Sequence, residues 1–124
     1  MNWSSIMGIR RTIITSDDLK KISDELLETI KTRIVDAIRP EKIILFGSHA
    51  WGVPGDDSDI DLYIVVAKSD QPAYKKAREV YRALRGVNVP IDVIIQTHDE
   101  AERSKQVATS LGKKVAEEGV VLYG

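Results

Sequence analysis

Residues Ile43, Ile44, Leu45 and Phe46 form an apolar run with no polar position on either side of the strand alternation. A strand of that kind has to be covered on both faces, so it belongs inside a sheet with other elements packed above and below. The next twenty residues narrow the fold further. A Gly47-Ser48 turn leads through a Gly/Pro/Asp loop into a second strand, Asp59 to Val66. Strand side chains alternate, so Asp59 and Asp61 share one face while Ile60 and Leu62 point to the other. Two carboxylates on one face of an apolar strand, beside a Gly-Ser turn, suggest a site for a divalent metal and phosphate.

The remaining chain supplies the cover that such strands need. Thr15 or Ser16 can cap a helix opening on Asp17 and Asp18, two acids at the positive end of its dipole. Leu19, Ile22, Leu26, Ile30, Ile34 and Ile38 recur at spacings of three and four, one helical face, until Pro40 stops the helix. A further helix, capped by Ser69 or Asp70 with Pro72 in its first turn, carries a predicted buried stripe of Tyr74, Ala77, Tyr81 and Leu84 and ends at Gly86. Val89 to Ile95 reads as a third strand with Asp92 as its single charge. Thr97 and Glu100 form a capping box for one last helix through Val107, Leu111 and Val115, stopped by Gly119 before a short strand, Val120 to Tyr123. The expected fold is α/β (α+β): a small mixed sheet flanked by helices, one domain over residues 15–124 preceded by an N-terminal arm, residues 1–14.

Composition removes several function classes. The 124 residues suffice for one domain with a core. No cysteine is present and only two histidines, His49 and His98, so thiolate and His-rich zinc sites are out. A net charge of −1 gives no electrostatic case for a standing nucleic-acid or membrane partner. Lys42, Lys75, Lys76 and Arg78 read as solvated charges with no role. The absence of a signal-type or membrane-length apolar run leads to the expectation of a cytoplasmic protein.

The acidic pair has competing explanations. Asp and Ser clusters in turns are commonly structural, which covers Asp59 taken alone. Asp61 lies within a hydrophobic strand, and Asp92 lies between Ile91 and Val93. Same-face charges roughly 6.5 Å apart repel by about 2.5 kcal/mol at an effective dielectric near 20. Three converging carboxylates would therefore call for a cation; convergence of Asp92 is an expectation, because strand order is not written in the sequence. Asp57, Asp59 and Asp61 match the opening of an EF-hand loop, but Leu62 replaces its glycine and Lys68 its final acid. Gly47-x4-Gly52 begins like a P-loop, but Val53 stands where the lysine is required. Gly47 lets a backbone approach an anion closely, and Ser48 offers a hydroxyl and an amide hydrogen.

Gly47-Ser48, ten residues, Asp59-Ile60-Asp61 and a later Asp92 together resemble the polymerase-β-type nucleotidyltransferase superfamily, and LFGSHAWGVPGDDSDIDLYIV looks most like its minimal nucleotidyltransferases. The resemblance runs from about the first helix to Tyr123. It implies a nucleotidyltransferase palm core, with Gly47 and Ser48 holding the triphosphate of ATP. It also implies that Asp59 and Asp61 ligate two Mg²⁺ ions and that Asp92 completes the metal site nearest the attacking hydroxyl. Paired metals of that kind clamp the attacking and leaving oxygens of an in-line displacement. Pyrophosphate leaves, and a nucleoside monophosphate joins an acceptor, with Asp92 or a metal-bound water able to accept the proton.

Many relatives carry arginine at the positions of His49 and Trp51, so phosphate neutralisation is expected to be weaker here. A protonated His49 could substitute; a surface histidine and a core-filling Trp51 are the plainer readings. A chain this short leaves the base and acceptor partly open, so the expectation is a partner that completes the site. The resemblance implies a HEPN-domain toxin as that partner, with AMP added to it and this chain acting as antitoxin. The alternatives are an antitoxin that binds nucleotide but neutralises its partner by contact alone, and an aminoglycoside-type nucleotidyltransferase with a small-molecule acceptor.

Overall fold

The computed structural model describes residues 16–51, 59–68 and 71–124; the N-terminal arm expected over residues 1–14 and the Ser69 and Asp70 caps lie outside them. The elements run α1 (Ser16–Ile38), β1 (Lys42–Phe46), α2 (Ser48–Trp51), β2 (Ile60–Val66), α3 (Ala73–Ala83), β3 (Ile91–Thr97), α4 (His98–Lys105), α5 (Leu111–Glu118) and β4 (Val120–Tyr123). The four strands make one mixed sheet in the order β3-β2-β1-β4. β1 pairs antiparallel with β2 and β4, and β2 pairs parallel with β3. The parallel pair needs a long connection, which α3 provides.

The alternation of β1 and β2 sorts the core into two layers. Ile43 and Leu45, with Ile60, Leu62, Ile64 and Val66, pack against Ile30 and Ile34 of α1 and Val80 of α3, with Leu84 at the end of α3. Ile44 and Phe46, with Tyr63 and Val65, pack against Ala101 of α4 and Val115 of α5. β1 is thus covered on both faces, as its unbroken apolar run requires. Ile64 is fully buried in the larger layer. Its replacement by alanine leaves a cavity, and urea denaturation is expected to show a loss of about 2–5 kcal/mol. An unchanged midpoint would mean that this layer does not hold the fold together.

Three sequence expectations change in detail. The single helix after Thr97 is two: the Thr97–Glu100 capping box opens α4 as expected, but the chain turns after Lys105 and restarts at Ser110. The Ser110 hydroxyl accepts from the Lys113 amide at 3.0 Å and donates to the Ser104 carbonyl at 2.5 Å. Val107 falls in that turn and is exposed. The stripe of α3 is also rotated: Val80 and Leu84 are buried, whereas Tyr74 and Tyr81 are 60% and 44% exposed. The third strand starts and ends two residues later than expected, so that Thr97 both closes β3 and caps α4.

Candidate active site

β2 begins at Ile60, with Asp59 immediately before it and Asp61 as its second residue. Asp61 shares the face of Tyr63 and Val65, the side on which α4 and α5 pack. In the parallel ladder Asp61 stands directly opposite Asp92 of β3, and in the antiparallel ladder it stands opposite Phe46 of β1. The chain after Phe46 is Gly47-Ser48, so the turn lies at the same end of the sheet as the two carboxylates. Asp59 and Asp92 are exposed and Asp61 half-buried.

The electrostatics of Asp61 agree with the register that sets it opposite Asp92. Burial pushes the Asp61 carboxyl above the usual carboxylate range; Asp92 and then Asp59 push it further, and His49 pulls it back. Neighbouring strands lie about 4.8 Å apart, where two unit charges repel by roughly 3 kcal/mol at an effective dielectric of 20, less where water reaches them. The convergence of Asp92 on the acidic pair, expected but not readable from the sequence, is therefore a property of the fold.

Gly47 completes the cradle. Its φ of 78° lies in the left-handed region, and a Cβ placed on it would fall inside van der Waals contact of the Asp61 carboxylate. Only glycine satisfies both conditions without strain. The Ala50 amide donates to the Gly47 carbonyl at 2.9 Å, closing the turn into α2. The Ser48 and Trp51 side chains lie outside what is described.

Carboxylate oxygens are the donors that Mg²⁺ prefers. Among the described residues, no three or more His, Asp or Glu side chains form a ready cage for a metal ion. Mg²⁺ keeps several waters and takes one or two carboxylates together with substrate phosphates, and Asp61 and Asp92 are donors of that kind. Further along the same sheet face a cavity of about 150 Å³ lies among Ile44, Tyr63, Val65, His98, Lys105 and Val115. None of the three aspartates lines it.

The sequence family "Polymerase beta, Nucleotidyltransferase" matches residues 28–124. The chain belongs to the polymerase-β nucleotidyltransferase family. This nucleotidyltransferase is also similar in structure to a Sulfolobus solfataricus protein provisionally assigned as a nucleotidyltransferase. The two align with a TM-score of 0.57 and 23% identity over 77% of this chain and 85% of that one. At that identity the likeness speaks for the fold. No curated protein matches the sequence significantly. Among the described residues of the nucleotidyltransferase no helix is long and apolar enough to cross a membrane.

Sequence reasoning named the carboxylates and the turn but missed two neighbours. Phe46 and Tyr63 pack edge to face, ring centroids 6.4 Å apart, on the sheet face that carries Asp61. Their alternation with Asp61 across β1 and β2 was the available signal. The Tyr81 hydroxyl accepts the Val93 amide at 3.0 Å on β3, one residue beyond Asp92. Nothing in the sequence foretold that contact.

Proposed function

We propose that this nucleotidyltransferase moves AMP from ATP to a hydroxyl of a HEPN-type toxin and so acts as its antitoxin. The observation that carries the catalytic part is the register pairing of Asp61 with Asp92 beside Gly47. Asp59, Asp61 and Asp92 would hold Mg²⁺, and Gly47 with Ser48 would receive the triphosphate through backbone amides. Bound Mg²⁺ supplies charge neutralisation at the phosphates and favours ionisation of an attacking hydroxyl. Asp92 and Asp59 both press on the Asp61 carboxylate, and a bound cation would relieve that repulsion. Asp92, exposed at the edge strand, would take the acceptor's proton. The macromolecular acceptor is consistent with the exposed apolar side chains of the last eighteen residues, among them Val107, Leu111, Val120, Val121 and Tyr123. Surfaces of that composition favour protein contacts.

A second reading, an antitoxin that binds nucleotide and neutralises by contact, draws on the charge balance at the site. His49 is the neighbour that offsets the acids around Asp61, where relatives carry arginines. Incubation of the protein with its HEPN-type partner, α-labelled ATP and Mg²⁺ separates the two. The expected result is label on the partner, lost in Asp59→Asn with the fold intact by circular dichroism. Label that persists in Asp59→Asn would remove that residue from the site. A tight complex that never acquires label would favour neutralisation by contact.

A further inference from the structure

The outer face of α3 is out of balance with the rest of the chain. The helix carries Lys75, Lys76, Arg78 and Arg82 against the single acid Glu79, on a protein whose net charge is −1. Lys75, Arg78 and Arg82 recur at spacings of three and four, and with Glu79 they line one shallow surface groove. Among the described residues, ion pairs form at Lys31, His98, Lys105 and Lys113, and none at Lys75, Arg78 or Arg82. Like charges at these helical spacings repel weakly, and such a strip attracts a docking anion.

We propose that this face of α3 is a docking ridge for single-stranded RNA. Lys75 to Arg82 spans seven helical residues, about 10 Å, which suits two or three phosphates of one strand. At the Lys75 end Tyr74 is 60% exposed, with the Arg78 guanidinium 5.8 Å from its ring centroid. Exposed aromatic rings interleaved with cations are the stacking platforms on which unpaired bases settle. Glu79 in the same groove repels a phosphate but accepts a hydrogen bond from a ribose 2′-hydroxyl, which favours RNA over DNA. A second copy docking through the same face would bring the same cations to the ridge and is repelled. At the other end the Tyr81 hydroxyl accepts the Val93 amide, so the ridge ends at the edge strand β3, on the sheet face opposite the carboxylates. Docking there needs no turnover and is separate from the acceptor proposed above.

Fluorescence anisotropy with a labelled 12-nucleotide RNA, without nucleotide or metal, reads the ridge directly. Three phosphate contacts give log K falling against log salt with a slope of about −2. Lys75→Gln, Arg78→Gln and Arg82→Gln together are expected to weaken binding at least about tenfold at low salt and to flatten that slope. Thermal melting checks that the triple variant folds. Tyr74→Ala alone is expected to weaken binding about fivefold or more through lost stacking. RNA binding that ignores the triple substitution would overturn the assignment, as would equal affinity for DNA of the same sequence. So would competition by poly-glutamate as effective as that by RNA, which would give the ridge to an acidic protein.

Discussion

Asp61→Asn is expected to lower nucleotidyl transfer on the order of a thousandfold while leaving the protein at least as stable as before. The loss comes from removing a negative oxygen at the point where two strands place carboxylates opposite one another, an electrostatic contribution of several kcal/mol to a transition state rich in phosphate charge. The stability comes from the same arrangement with the opposite sign. The Asp61 carboxyl is held above its ordinary range by burial and by Asp92 and Asp59. A carboxyl raised in the folded state disfavours folding once ionised, so the penalty appears as pH climbs past the ordinary carboxylate value and persists at neutrality. Asparagine removes it. Solvent screening keeps the gain within about 1 kcal/mol, a few degrees in Tm. Mg²⁺ is expected to raise the Tm of the parent protein and to do so much less in Asp61→Asn. An equal shift in both would place the ion elsewhere, and retained transfer would sink the site.

Gly47→Ala is expected to cost both activity and stability, the reverse combination. The left-handed backbone at Gly47 penalises any Cβ by about 1–2 kcal/mol. The added methyl also collides with the Asp61 carboxylate, and a displacement of about 1 Å at a reacting constellation costs on the order of a hundredfold in rate. Steady-state kinetics beside urea denaturation read the two effects separately. Full activity in a destabilised Gly47→Ala protein would show that the approach of the turn to Asp61 is structural alone.

The parts of the fold legible in the sequence are those whose physics is local. Ile43 to Phe46 could only be an interior strand, and Thr97 with Glu100 could hardly be other than a helix start. The shared face of Asp59 and Asp61 rests on alternation alone. The register that puts Asp92 opposite Asp61 joins segments separated by the whole of α3 and depends on strand order, which no local pattern encodes. α3 itself misled for a chemical reason. Tyrosine counts as apolar in a periodic stripe, yet the Tyr81 hydroxyl sought an unsatisfied amide at the sheet edge and Tyr74 lies out in solvent with Arg78. Val80 and Leu84 carry the burial instead. The break between α4 and α5 was present as Ser110, a good cap hidden inside a run of four-residue apolar spacings. The basic residues of α3 were legible one by one, but that Lys75, Arg78 and Arg82 share one groove depended on which face of the helix packs on the sheet.

β3 is an edge strand, paired with β2 alone, and edge strands can slide. A slip of one residue would turn Asp92 into the apolar layer and expose Ile91 and Val93, leaving Asp61 without its opposite number. The hydrogen bond from the Val93 amide to the Tyr81 hydroxyl ties that strand to α3. It works as a ratchet pawl, engaged at a single tooth. Together with the seven-residue ladder to β2, a tyrosine outside the acidic cluster thereby helps to hold Asp92 on the same side of the sheet as Asp61.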